Sequence, residues 1–304
     1  MTSEHDRTAT RARARVALVT CADLPELEPD DQLVLAPLAA RGVVAEPVVW
    51  DAPDVDWGDY DLAVLRSPWD YVPRRDEFVA WARRVPALAN PALTVRWNTD
   101  KRYLRELAAA GVPTVPTDWL GAADEWTPPE TGEYVVKPAV SAGSQDTGRY
   151  DLADADQRAL AVAHVARLQA ADRLVMVQPY LDAVDTYGET ALLFLAGPDG
   201  LEFSHAIRKG AMLTGPDAAT NSLYQPEKIT PRTPSDAEHA AARQVLAALP
   251  EDMEPLLYAR VDLIPGADGT PILVELELTE PSLFLGHADG AADRLADAIV
   301  RRLP

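Results

Sequence analysis

Leu256-Leu257-Tyr258-Ala259-Arg260-Val261-Asp262-Leu263-Ile264 and Ile272-Leu273-Val274-Glu275-Leu276-Glu277-Leu278 are two apolar runs with charges set into them at alternate positions. Strand side chains alternate between faces, so Glu275 and Glu277 share one face, and Arg260 and Asp262 share a face of the other strand. If the two strands pair, three carboxylates and a guanidinium converge. Bare carboxylates at that density repel one another and resist burial. A divalent cation relieves the repulsion, and oxygen-only donors suit Mg2+ rather than zinc or copper. An ordinary amphipathic strand with one wet face shows the same alternation. Residues upstream separate the two readings.

Lys137 ends the apolar run Tyr134-Val135-Val136, and the small residues Ala139 to Ser144 follow it. A lysine beside a Gly/Ser loop suits a polyphosphate, because the ammonium offsets charge and the loop amides can close over phosphate oxygens. The order is not that of a P-loop. Lys101 is expected in the first turn of a helix over 98–111, where a cation opposes the helix dipole unless an anion is also bound. Gln178-Pro179-Tyr180-Leu181 follows the strand-like Leu174 to Val177 and offers backbone groups and apolar walls to a flat heterocycle. Glu189 follows Gly188 and suits a ribose hydroxyl or plain solvent. His205, Arg208 and Lys209 precede the Gly-rich 210–215, then Ala219-Thr220-Asn221, a segment that reads as a lid or as a long exposed hairpin.

The 304 residues suffice for two or three packed units. At 47% hydrophobic and 25% charged, the chain is globular rather than disordered. Its net charge of -20 argues against a nucleic-acid partner, and its apolar runs are too short for a membrane span. One cysteine, Cys21, excludes an internal disulfide, so no oxidising compartment is required and the cytoplasm is the expected location. Residues 1–14 are polar and arginine-rich, without an apolar core, and read as a disordered tail. Arg15 to Thr20, Val43 to Trp50 and Asp61 to Arg66 read as strands, with helices over 31–41 and 77–85. This alternation predicts an open parallel α/β unit over 15–97, with ligands beyond the carboxyl ends of its strands. Helices are also expected over 152–170, 234–249 and 288–302, and a hairpin over 190–208.

Taken in order, Lys101, Lys137 with its loop, the 178–181 linker, Arg260 with Asp262, and Glu275-Leu276-Glu277 resemble the ATP-grasp superfamily from about Asn98 to Pro304. The segments RSPWDY, NTDKRYL, VVKPAVSAGS, SHAIRKG, YARVDL and VELELTEPSLFL look most like the group containing the O-ureido-D-serine cyclo-ligase of D-cycloserine biosynthesis. The resemblance implies an ATP-grasp fold, α/β with an α+β C-terminal part, behind an N-terminal α/β unit. Its subdomains would span 98–175 and 176–304. Lys101 and Lys137 would contact phosphates, and Ser141, Gly143 and Ser144 would cover them. Gln178, Tyr180 and Leu181 would line the adenine pocket, with Glu189 near the ribose. Asp262, Glu275 and Glu277 would hold Mg2+, with Arg260, Arg208 and Lys209 acting on the reacting groups. Many superfamily members carry Asn where Glu277 stands. The extra charge would favour two metal ions or shift the ligand set, with Mn2+ able to substitute. The implied reaction activates a small amino-acid-like carboxylate as an acyl phosphate, captured by an amine or other nitrogen with release of ADP and phosphate. An intermolecular dipeptide-type ligase and a non-catalytic ATP-binding module are the alternatives. Substrate candidates are Asp23, Arg66, Trp69, Asp70, His205, Glu280 and Ser282. A homodimer is the expected assembly on frequency alone.

Overall fold

The strand RVALVT is apolar on both faces, a pattern tolerated only in a sheet covered on both sides. The computed structural model describes residues 13–217, 228–253 and 255–304. The first twelve residues of the expected tail, and Ala219, Thr220 and Asn221, lie outside the described residues.

β1 (Arg15–Thr20) is followed by a 3-10 turn and α1 (Leu35–Ala40), and then by β2 (Val44–Val49) and β3 (Leu62–Ser67). α2 (Arg75–Ala82) and the short β4 (Leu88–Ala89) complete a four-stranded parallel sheet in the order β2-β1-β3-β4. The expected helix over 31–41 is therefore split, with Gly42 (φ 78°) ending it in the left-handed region. Cys21 is a buried residue at the end of β1.

The expected helix over 98–111 is instead two helices, α3 (Ala92–Asn98) and α4 (Tyr103–Ala109), and Lys101 lies in the turn between them. Asn98 does not cap a helix start. Its side chain accepts from Leu278 N at 2.6 Å and Thr279 N at 3.1 Å, and donates to Leu276 O at 2.8 Å. Buried backbone groups at the end of the acidic strand need those partners, and they outweigh the local capping preference.

β5 (Asp118–Leu120), β6 (Glu133–Pro138), β7 (Gly148–Asp151) and, after α5 (Ala155–Ala170), β8 (Val175–Pro179) form a second sheet, antiparallel, in the order β5-β8-β6-β7. The expected division at 175/176 falls at the start of β8, which pairs with both β5 and β6, so this sheet closes after Pro179. A short α6 (Ala183–Tyr187) follows. The third sheet contains β9 (Glu189–Gly197), β10 (Gly200–Lys209), β11 (Ile229–Arg232) and, after α7 (Asp236–Ala247), β12 (Tyr258–Pro265) and β13 (Pro271–Glu277). Its order is β11-β10-β9-β12-β13, antiparallel throughout. α8 (Ala291–Val300) closes the chain.

One apolar cluster joins the first and third sheets. Val16 and Leu18 of β1 share it with Leu193 and Leu195 of β9 and with Leu295 and Ile299 of α8, all nearly or wholly buried. Asn90 adds polar stitching, donating to Tyr258 O at 2.9 Å and Leu278 O at 2.7 Å. These contacts set the carboxyl ends of the parallel strands against the acidic strands. Among the described residues no helix is long and apolar enough to cross a membrane.

Candidate active site

β12 and β13 pair with Arg260 opposite Glu277 and Asp262 opposite Glu275, and a bulge follows Asp262. Pairing brings one carboxylate oxygen each from Asp262, Glu275 and Glu277 within 4.8 Å of one another. The three charges face four cations. The Arg260 guanidinium grips Asp262, with Nε to Oδ1 and Nη2 to Oδ2 both at 2.9 Å, and also pairs with Glu277. Lys209 Nζ lies 2.7 Å from Asp262 Oδ2 and pairs with Glu189. Lys101 Nζ lies 3.0 Å from Glu275 Oε1 and donates to Ser141 O at 2.9 Å. Lys137, from β6, has no ion-pair partner among the described residues.

Asp262, Glu277 and Lys137 titrate far from their ordinary values. Burial works to raise the Asp262 carboxyl, but Arg260 and Lys209 beside it hold it well below the usual carboxylate range. Burial pushes Glu277 up to about 8, with Glu275 and Asp262 adding to it and Arg260 opposing. Burial pushes the Lys137 ammonium down to about 8, with Lys101 and Lys209 reinforcing it and Glu275 opposing. Such displaced values mark sites built to receive a charged ligand. An all-oxygen donor set with one oxygen from each carboxylate this close, one of them reluctant to ionise alone, fits a hard divalent cation.

A cleft of about 440 Å3 opens over these groups. Its floor includes Lys101, Lys137, Glu275 and Glu277. Above them the loop after β6 turns through Gly143, Ser144 and Asp146, all at positive φ (51° to 59°). Arg167 holds Asp146 at 2.8 Å and Arg173 also pairs with it, pinning the loop to α5 and to the approach to β8. Gln178, Tyr180 and Leu181 line the other end, with Met212 and Leu213 facing them. Gln178 is buried and donates to Thr117 Oγ1 at 2.8 Å, and the Arg149 guanidinium lies over the Tyr180 ring at 3.6 Å. Glu189 lines the cleft but is engaged by Lys209, and burial pushes it up to about 7.

On the substrate side, Trp69, Glu280 and Ser282 line the cleft. Trp69 Nε1 donates to Glu280 O at 3.1 Å, and Ser282 O accepts from Arg260 at 3.2 Å. Six expected residues do not line it. Asp262 is fully buried behind Arg260 and Lys209, which both bond to it. Asp23 is exposed at the end of the first sheet. Arg66 is fully buried, its Nε 2.9 Å from Asp31 Oδ1, and it donates to Pro281 O. Asp70 is engaged by Trp50 Nε1 at 2.8 Å and Arg74 at 2.9 Å. His205 is buried, with Nε2 2.9 Å from Leu283 O. Arg208 donates to Thr186 O at 2.8 Å and to Tyr187 O, closing the end of α6. In the last four a nearby acceptor or donor engages the side chain and turns it away from the cleft, although Arg66 Nη1 has no hydrogen-bond partner among the described residues. Tyr71, Glu28 and Asp30 also line it. Tyr71 stands in the RSPWDY segment, but nothing in the sequence shows that its hydroxyl reaches Glu280.

The chain is similar to known proteins along nearly its whole length. Residues 16–94 match the N-terminal domain of D-cycloserine synthetase DcsG. The cycloserine biosynthesis protein DcsG of Streptomyces lavendulae is 40% identical, over 95% of this chain and 98% of that protein. The chain belongs to the DcsG family of ATP-grasp ligases. The crystal structure of D-cycloserine synthetase DcsG superposes with a TM-score of 0.83 at 37% identity, covering 96% of this chain and 100% of that one. A D-alanine–D-alanine ligase from Bacillus anthracis shares the fold, with a TM-score of 0.63 at 18% identity over 95% of this chain and 97% of that one. As a DcsG-family member the chain is an ATP-dependent ligase forming carbon–nitrogen bonds, with small molecules as substrates.

Proposed function

We propose that this ligase activates a small amino-acid-like carboxylate as an acyl phosphate, which a nitrogen nucleophile then captures. Kinship with a cycloserine biosynthesis protein supports a product of cycloserine type and a place in antibiotic biosynthesis. The observation that carries the reading is the convergence of Glu275, Glu277, Lys101, Lys137, Lys209 and Arg260 on one cleft, with the buried Asp262 carboxylate beside the two glutamates.

The obstacle is electrostatic, because an anionic carboxylate must approach a polyanion. Asp262, Glu275 and Glu277 would hold Mg2+, whose charge offsets that of the phosphates. Lys101 and Lys137 stand on the phosphate side, beneath the 141–144 loop, and add fixed positive charge where the transferring group sits. Arg260 and Lys209 bridge metal side and substrate side. Both pair with carboxylates, and with those oxygens taken up in holding Mg2+ they would be available to the reacting carboxylate. Gln178, Tyr180 and Leu181 enclose the base. The segment 210–215 and the 141–147 loop both line the cleft, and Arg149 N of β7 donates to Gly215 O at 2.9 Å, an arrangement that would limit hydrolysis of the acyl phosphate.

The test is release of ADP and phosphate from Mg·ATP across a panel of small amino acids, their O-substituted derivatives and amine pairs. Release that depends on one compound or pair, and falls at least about a hundredfold in Glu275→Gln, supports the reading. ATP binding without release for any compound overturns it.

A further inference from the structure

Two residues after β13 the chain turns at Thr279-Glu280-Pro281-Ser282, and this turn is fixed from several sides. Thr279 N donates to Asn98, Trp69 Nε1 to Glu280 O, Arg66 to Pro281 O and Arg260 to Ser282 O. The Glu280 side chain is left to point into the cleft. Tyr71 OH donates to Glu280 Oε1 at 2.7 Å, and the Tyr71 ring is itself held by stacking on Phe78, centroids 4.7 Å apart. Among the described residues Oε2 has no hydrogen-bond partner.

The other acids of the cleft are differently engaged. Glu275, Glu277 and Glu189 pair with cations, Asp30 accepts from Leu285 N and Gly286 N, and Glu28 turns back onto Asp30 N. Glu280 alone is held by a neutral side chain from the first sheet's side of the cleft.

We infer that Glu280, aimed into the cleft by Tyr71, is the base that takes the proton of the nitrogen attacking the activated carboxylate. This rests on the acyl-phosphate reading above. In the step, the nitrogen–carbon bond forms and the carbon–oxygen bond to phosphate breaks. Phosphate leaves with the electron pair, and the nitrogen's proton passes to Oε2 and later to solvent. The groups acting on Glu280 are Tyr71 from the first sheet's side, Lys101 from the α3–α4 turn, Glu275 of β13 and Arg260 of β12. Burial pushes Glu280 up to about 7, Tyr71, Lys101 and Arg260 pull it down, and Glu275 pushes it up. A base so poised can both accept and release a proton near neutrality. Burial, with Glu280 nearby, pushes the Tyr71 hydroxyl well above its usual range, so it stays a neutral donor.

The experiment uses the panel compound that supports ADP release and follows two products. One is full turnover with the natural nitrogen nucleophile. The other is the hydroxamate trapped by hydroxylamine, which is uncharged near neutral pH and needs no base. In Glu280→Gln, turnover should fall by about 10²- to 10⁴-fold while hydroxamate formation stays within about threefold of wild type. In Tyr71→Phe, loss of the hydrogen bond should move the acid limb of the kcat profile to higher pH. Unchanged turnover in Glu280→Gln overturns the inference and leaves the ligase reading standing. Equal loss of turnover and hydroxamate, or an unmoved acid limb in Tyr71→Phe, also overturns it. Wild-type protein that yields neither ADP nor hydroxamate with any compound overturns the ligase reading itself.

Discussion

Lys137 stands between two states. In the free protein its ammonium is disfavoured by burial and by the like charges of Lys101 and Lys209, so it gives up its proton near pH 8. A bound polyphosphate favours the charged form and raises the value again. ATP binding should therefore take up a proton above about pH 8, and affinity should fall as the pH rises through that value. Calorimetry at pH 8.5 in two buffers of different ionisation enthalpy should show this uptake, absent at pH 6.5 and absent in Lys137→Met. Arg66 makes the opposite case. A cation at a strand's carboxyl end reads as a substrate contact, yet it is fully buried against Asp31. Arg66→Leu leaves the Asp31 carboxylate buried without a partner and should cost about 3–5 kcal/mol of stability. Urea unfolding measures this, and a midpoint equal to wild type would mean that the pair carries no structural load.

At the scale of elements, strands were more legible than helices. The acidic strands and the 190–208 hairpin lie within two residues of their expected bounds, because alternation and apolar runs report burial directly. Asn98-Thr99 reads as a local cap, but Asn98 serves β13, which is distant in sequence. No local pattern records such a partner. β7 and α6 were missed for a related reason. GRYD and AVDTY are too short to carry a period, and they take their form from neighbours: β7 pairs with β6, and α6 packs beside β12. The residues proposed for metal, phosphate and adenine sit, Lys101 apart, on strands or directly after them, where the sequence pattern reports position directly. The substrate side was not, because it depends on which of several charged side chains finds a partner elsewhere. Gly188 links α6 to β9 at φ 70°, and a Cβ there would meet Lys209 O at 2.4 Å and Arg208 Nε at 2.7 Å. Gly188→Ala should push the end of β10 away and displace the Lys209 ammonium from Asp262. The expected result is a loss of turnover of about tenfold or more, since a shift of about 1 Å at a catalytic group costs that much, with the fold retained by circular dichroism.

The whole molecule has its cleft where three sheets meet, and a shared core holds the walls in place. α8 is the keystone, since Leu295 and Ile299 lie in the same apolar cluster as β1 and β9. Leu295→Ala should cost about 2–5 kcal/mol. Because the first and third sheets lose packing together, thermal unfolding should remain a single transition at lower temperature. A new separate transition would show that the N-terminal sheet folds on its own. Tyr71 packs in the separate apolar cluster on the other face of the first sheet, and it and Trp69 hydrogen-bond to the turn after β13, so this side of the cleft is a joint product of both sheets.

In the proposed reaction the cleft joins a carboxylate oxygen to the γ-phosphate before nitrogen attacks. The most direct measurement takes the compound that supports ADP release, with oxygen-18 in its carboxylate, and follows the label by mass spectrometry. Transfer of one labelled oxygen into the released phosphate at each turnover is the predicted result. Phosphate that carries no label, while product forms at the normal rate, would contradict the account.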